Sequence, residues 1–523
     1  MLLVVHQGFA ARFLLRTGIL ETLQGSGARI VILTPNSGER YINEEFAGPR
    51  GSVEQLRSEH GPRVGRTLFR RRPRLRVMPG TGELWWQVSH LRKYMLGDLD
   101  AAPAHREKRE RFYDKERRRD RLDPRWLRQP LWLLRAGLWL SCRSRALRRL
   151  VLGAETRLFT GAPHADVFGR HRPDLVVTTS PGWFMPDAMV LREARSRGVK
   201  SVAMVLGWDN PTSKGYRAAD PDRVIAWSEP MAEQLVRHQD IPRDRILVGG
   251  VPHWDHYRRP GALLEREALF EALGLDPKRR LVLLVASTPG IYAHNTLVAE
   301  TLAEAIEDGR LGESAQLVVR LHPIQYRDKQ SGELEDYDAV AERHPHVVLD
   351  KPEVLSRELR CDMPRSDALR FGSLVKHCDV LLNVFSTSTL EAFMVDRPVI
   401  LIRSDAHLSA EQKAHTASRQ YQTYAHQRRV MELGAARVAG SMQEIVDLTR
   451  AYLADPALDR DARAQVAREE VGPTDGFAGE RIGRYLLESI GAAPGAQEGA
   501  GANGAPAGGA RGRTLAGAAE GEA

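Results

Sequence analysis

At 523 residues, 42% of them apolar, the chain is too long for one hydrophobic core of ordinary size and rich enough in apolar residues to build two. Its net charge of +9 is uneven: residues 61–150 carry 25 Lys and Arg against 9 Asp and Glu, +16, which leaves −7 for the remainder. Three widely spaced cysteines, Cys142, Cys361 and Cys378, exclude a disulfide framework and a cysteine zinc clip and fit a reduced compartment.

The chain opens with a short apolar run over residues 2–6, which reads as a strand and not as a signal peptide. No later window reaches the roughly 18 to 20 apolar residues of a membrane-spanning helix, so folding in the cytoplasm is expected. Helical apolar spacing over 9–23 and a second run over 29–33 complete a βαβ beginning. After a basic insert, strands are predicted at 174–178, 201–206, 223–227 and 246–248, with helices near 187–197 and 231–238. The pattern restarts near residue 260. Strands are predicted at 281–286, 316–321, 346–349, 380–384 and 398–402, with helices around 295–307, 366–377 and 390–395. Short apolar strands alternating with helices imply parallel sheets covered on both faces. An amphipathic helix is predicted over 474–490. Residues 491–523 are mostly Gly and Ala, cannot bury enough surface to offset ordering entropy, and are expected to be disordered. The division expected is a first Rossmann-like domain over 1–260, with its basic helical insert at 61–150, and a second over 261–490.

Ligands of open parallel sheets bind beyond the carboxyl ends of the strands, so the loops after strands carry the candidates. In the second half, Ser287, Thr288 and Gly290 form a small-residue loop suited to phosphate; an ordinary turn has the same composition. The next strand ends in Arg320-Leu321-His322-Pro323, a cation and an imidazole where a departing diphosphate would need stabilising. The run Asp379-Val-Leu-Leu-Asn383-Val-Phe-Ser386-Thr387-Ser388-Thr389-Leu390-Glu391 places four hydroxyls at a helix start, where one would suffice as a cap. Glu391 could accept a ribose hydroxyl. Upstream, Trp208, Asp209, Asn210 and Lys214 follow another strand and form a candidate acceptor loop, the indole stacking on a sugar face. Asp209 is the first candidate general base and His6, at the end of the first strand, the second.

The combination of Arg-Leu-His-Pro, the Ser-Thr-Ser-Thr-Leu-Glu-Ala run and Asp396-Arg397-Pro398 resembles the donor domain of GT-B transferases for surface polymers. The resemblance is nearest to CDP-glycerol glycerophosphotransferases and capsule transferases and covers roughly residues 280–402. It implies two Rossmann-like domains facing across a cleft, with His322 acting on the donor phosphate or leaving group and Ser386, Thr387 and Ser388 holding phosphate. It also implies no metal or other cofactor, and a terminal helix, 475–483, sent back across the domain boundary. UDP-N-acetylglucosamine 2-epimerases share this architecture, but their phosphate loop is glycine-rich where this chain has Ser-Thr-Ser-Thr. The expected function is transfer of a glycosyl or glycerophosphoryl group from a nucleotide-activated sugar or CDP-glycerol to a saccharide or lipid-linked acceptor. Epimerisation or hydrolysis of a nucleotide sugar, or a non-catalytic nucleotide-binding role at a membrane, are the alternatives.

The basic insert combines Arg117-Arg118-Arg119 and Arg148-Arg149 with Trp126, Trp132, Trp139 and several leucines. Arg on one helix face and Trp and Leu on another suit the plane of an anionic bilayer interface, so peripheral association with the inner face of the cell membrane is expected. No nucleic-acid module accompanies the charge, and nucleic acid is not expected as a partner.

Overall fold

The computed structural model describes residues 1–57, 92, 94–97, 109–110, 131–159, 161–288, 291–312, 314–326, 333–356, 359, 361–403 and 424–491. Much of the basic insert, and the terminal tail beyond Gly491, lie outside the described residues, so the expectation of a disordered tail is not addressed.

Two parallel sheets form the molecule. The first holds β1 (Leu2–Val4), β2 (Ile30–Thr34), β3 (Gly51–Gln55), β4 (Leu175–Thr178), β5 (Lys200–Met204), β6 (Arg223–Ala226) and β7 (Ile246–Val248), in the order β3-β2-β1-β4-β5-β6-β7. The second holds β8 (Arg280–Val285), β9 (Ala315–Arg320), β10 (Val347–Asp350), β11 (Val380–Asn383), β12 (Val399–Ile402) and β13 (Arg437–Ala439), in the order β10-β9-β8-β11-β12-β13. Helices cover both faces, so central strands read as unbroken apolar runs. Leu281–Leu284 and Val380–Leu382 have no exposed surface, and they pair in register from Val282 with Val380. One buried apolar cluster continues across both sheets.

The helix expected over 9–23 is two helices, Gly8–Leu14 and Gly18–Gly25. Thr17 is extended (φ −138°), and its hydroxyl accepts from the Ile19 N–H as an N-cap. The break turns the second helix toward the end of the chain. The terminal helix Ala478–Glu488 returns to pack on it and on the linker turn Pro252–Tyr257. A Cβ on Gly479 would lie 2.8 Å from the Gly18 nitrogen, so the two helices approach this closely only because position 479 carries no side chain. Asp255 caps the terminal helix, accepting from the Ala478 and Gly479 N–H groups at 3.0 and 2.8 Å. Residues 478–488, within the segment expected to return across the domain boundary, thus pack on the helix Gly18–Gly25 of the first half.

The carboxyl edges of the sheets face each other. Gly8 follows β1, and a Cβ there would lie 2.2 Å from the backbone nitrogen of Asp362, in the segment after β10. Asp362, fully buried, accepts from Arg16 Nη1 at 2.5 Å and from the Tyr41 hydroxyl at 2.6 Å. Asn36, after β2, donates to Ser356 Oγ at 2.6 Å. None of the described helices is long and apolar enough to cross a membrane.

Candidate active site

Strand order reverses once in each sheet, and the crevice in which open parallel sheets bind ligands lies beyond the strand ends at such a reversal. In the second sheet the reversal lies between β8 and β11. Ser287 and Thr288 flank it from β8, Ser386 and Thr387 from β11, and His322 stands one strand away at the end of β9. Gly290 lies outside the described residues. Two asparagines, not assigned roles from sequence, pin the flanking loops. Asn295 accepts from the Ser287 N–H at 3.0 Å and donates to the Tyr292 carbonyl at 2.6 Å. Asn383 accepts from the Ser386 N–H and donates to Ser388 Oγ and Thr389 Oγ1 at 3.1 and 3.0 Å.

The four hydroxyls are therefore not equivalent. Ser388 and Thr389 are buried against Asn383, whereas Ser386 is half-buried and Thr387 exposed. Ser386 Oγ accepts from the Ser388 N–H at 3.3 Å, and the Thr389 and Leu390 N–H groups are bonded to the Ser386 and Thr387 carbonyls. The anion cradle expected from four hydroxyls reduces to Ser386 and Thr387. Phe385 just before them sits at φ +50°, a left-handed conformation costly for a bulky residue, which the tight strand-to-helix turn imposes.

His322 is held by its own loop. Its Nδ1 accepts from the Ile324 N–H at 3.1 Å, and its backbone N–H donates to Gln325. The neutral ring thus carries its proton on Nε2. Burial, reinforced by the Arg320 charge, brings its pKa down to about 4, so at neutral pH it offers an uncharged N–H donor. His256 in the linker is depressed to about 3, chiefly by burial. A histidine with a folded pKa below the unfolded value binds fewer protons folded than unfolded between those two pKa values, so stability falls as pH drops through that window. We expect His322 to contribute about 3 kcal/mol of the loss between pH 7 and pH 4. Urea midpoints measured across that range should fall less steeply for the double variant His322→Gln/His256→Gln than for the parent; equal slopes would contradict the assignment.

Two other expectations are corrected. Arg320 does not open onto the crevice: Nη1 donates to Asp350 at 2.6 Å and Nη2 to Asp367 at 2.5 Å, all three buried. Glu391 is also buried. It accepts from the Tyr257 hydroxyl at 2.8 Å, and burial raises its pKa, so it ties the helix Ser388–Met394 to the linker and presents no carboxylate to a ribose.

In the first sheet the reversal lies between β1 and β4. His6 flanks it from β1, and Thr179 and Ser180 from β4. Asp187, fully buried, accepts from Ser180 Oγ at 2.6 Å and Thr179 Oγ1 at 3.3 Å; its other oxygen lies 3.5 Å from His6 Nδ1. His6 Nε2 and Asp187 Oδ1 are buried with no hydrogen-bond partner among the described residues, which leaves both atoms available to a bound group. The sequence signal that could have found this group is Thr178-Thr179-Ser180 running directly off an apolar strand.

The acceptor loop after β5 behaves differently. Trp208 is 1% exposed; its Nε1 donates to Glu470 at 3.0 Å, and its ring meets His426 edge-on at 4.7 Å. It joins the two halves and has no face for a sugar. Asn210 is buried. Asp209 accepts from Ser213 and pairs with Lys214 at 3.4 Å at the start of the short helix Asn210–Ser213; Lys214 is exposed. Among the described residues, one group has metal-ligand spacing, Glu307, His344 and His346. It lies where the second sheet's strands begin, away from both crevices.

Two Rossmann-like parallel sheets joined with facing carboxyl edges and a crevice at each reversal define the GT-B fold, and this chain has it. A structure from Listeria monocytogenes described as a UDP-N-acetylglucosamine 2-epimerase superposes with a TM-score of 0.50 at 13% identity, covering 93% of this chain and 95% of that one. The UDP-GlcNAc 2-epimerase of Neisseria meningitidis bound to UDP-GlcNAc gives 0.47 at 12% identity, covering 93% and 99%. A glycosyltransferase from Rickettsia africae gives 0.44 at 12%, covering 93% and 98%. At these identities the likeness is one of fold alone. No protein-family model and no curated protein sequence matches the chain.

Proposed function

We propose that the chain is a transferase that moves a glycosyl or glycerophosphoryl group from a nucleotide-activated donor on the second sheet to an acceptor hydroxyl on the first. The observation that carries this reading is the pairing of two polar crevices at facing strand reversals, His6 with Asp187 in one and His322 with Ser386 and Thr387 in the other.

In this reading His6, the second of the two candidate bases, takes the role in place of Asp209, whose carboxylate is engaged by Ser213 and Lys214. With the ring proton on Nδ1, which lies 3.5 Å from both Thr179 Oγ1 and Asp187 Oδ1, the lone pair on Nε2 takes the acceptor's proton as its oxygen attacks, and the nearby carboxylate stabilises the imidazolium. The bond to the donor's phosphate breaks as the new bond forms, and His322 Nε2–H with the Ser386 and Thr387 hydroxyls stabilises the departing oxygen. This role is assigned without a metal ion, so turnover should survive a chelator. The same proposal sets the enzyme on an anionic membrane surface, supported by the arginine-rich, Trp-bearing insert.

Melting temperatures measured with CMP, CDP, UMP, UDP and GDP test it, since a ligand of the folded state alone raises the midpoint. One base should raise it, and Ser386→Ala/Thr387→Val should abolish the rise. If none of the five does so at millimolar concentration, the donor site is refuted. The shared fold with the Listeria structure supports a second reading, epimerisation of a nucleotide sugar. An isomer formed from donor alone would establish it and exclude transfer.

A further inference from the structure

A second charged cavity lies on the opposite edge of the first sheet. Its volume is about 460 Å³, within the range that holds small organic ligands. Arg149 and Arg157 line it from the helix Arg145–Phe159. Arg195, Arg217, Arg245 and Asp220 line it from the segments that lead into β5, β6 and β7. It is therefore at the strands' amino ends and separate from the crevice of His6. Three of the arginines converge on one carboxylate: Arg217, Arg195 and Arg245 lie 2.6, 2.9 and 3.5 Å from Asp220. Arg149 and Arg157 are exposed and have no ion pair among the described residues. Five guanidiniums and one carboxylate give the described lining a formal charge of +4; Arg217 is buried and bonded to Gln239, Ala219 and Asp220, so the exposed forks of Arg149 and Arg157 are the donors that match the oxygens of a phosphate.

The helix that carries Arg149 packs on the helix Leu131–Arg143. Leu138, Ser141 and Cys142 of that helix face inward, whereas Trp132, Leu133, Trp139 and Leu140 are each at least half exposed. The Arg143 guanidinium lies 4.2 Å over the Trp139 ring. Leu150, 66% exposed, shares a face with Gly153 and Arg157 by the three- and four-residue spacing, which puts it at the cavity rim. Arg148 points the other way, bonded at 2.7 and 2.8 Å to Asp240, and anchors the hairpin to the first sheet. An outward apolar face on an anchored hairpin beside a cationic cavity matches a bilayer interface, with indoles at headgroup depth and arginines at the phosphates.

We propose that this cavity binds the phosphate headgroup of an anionic phospholipid while Trp132, Leu133, Trp139 and Leu140 enter the acyl boundary. The proposal rests on the membrane reading above and names the site that performs it. Co-sedimentation of the full chain with phosphatidylcholine vesicles, with and without about one third phosphatidylglycerol, tests it. Arg149→Gln/Arg157→Gln should weaken partition onto the anionic vesicles by about 30-fold, from roughly 1 kcal/mol per basic residue at the surface. The control Arg310→Gln/Arg450→Gln removes equal charge from exposed sites of the second domain and should change it less than about threefold. Equal losses in the two double variants would overturn the cavity's role and leave membrane association standing. A parent chain that ignores both vesicles would overturn both, as would tighter retention on single-stranded RNA than on the anionic vesicles.

Discussion

Replacing His322 with Ala is expected to lower turnover of the activated donor by about 10²- to 10³-fold, the usual loss when one donor to a developing oxyanion is removed. Melting temperature should move little, because the imidazole's only hydrogen-bonded partner in the described structure is the Ile324 N–H two residues away. The loss should fall on kcat and not on KM if Nε2–H meets charge that develops only as the phosphate departs. His322→Gln, which keeps an N–H donor, should recover part of it. A kcat within about threefold of the parent would remove His322 from the mechanism. The pH dependence should agree: with a pKa of about 4, His322 stays an uncharged donor across the neutral range, so an acid limb near pH 6.5 would have to belong to another group.

The sheets were legible where strands are buried on both faces. The runs at 281–286 and 380–384 have no polar residue until Asn383, and nothing but a central strand suits them. Of the four edge strands, β7 and β10 were read from their apolar runs and β3 and β13 were missed. Gly51–Gln55 contains one large apolar residue and is half exposed throughout, and Arg437–Ala439 pairs only with β12. Apolar periodicity carried one helix through residues 9–23, although Thr17 followed by Gly18 was a readable cap.

The site was legible as a set of loops and not as a set of roles. His322 and His6 stand at strand ends because the chain turns there, and strand ends can be found from sequence. Which of four neighbouring hydroxyls faces solvent depends on Asn383, whose amide takes two of them inward. Trp208 looked like a sugar platform because an indole beside Asp and Asn suits that task. Its partner Glu470 is 262 residues away, and no local pattern reports a contact at that distance.

Arg320 shows the same limit with the largest expected effect on stability. Arg320→Ala should destabilise the protein by about 3–5 kcal/mol, the range for breaking a buried ion pair from one side. The variant leaves Asp350 and Asp367 buried; among the described residues the remaining cation is the partly exposed Arg370, 3.1 and 3.0 Å from them, and the Glu353 N–H still donates to Asp367. Removing the carboxylates as well, in Arg320→Met/Asp350→Asn/Asp367→Asn, should restore much of the midpoint in urea, because it is the uncompensated charge that costs. A phosphate ligand would behave oppositely, raising KM for the donor at unchanged stability. The single variant Arg320→Ala, which keeps both carboxylates, reports what Arg320 does for the site. Its charge lies on the same strand end as His322 and helps to hold that imidazole below its ordinary pKa. In that variant, at denaturant-free conditions where it stays folded, the acid limb set by His322 should move upward from about pH 4, and an unmoved limb would show that burial alone keeps the ring neutral.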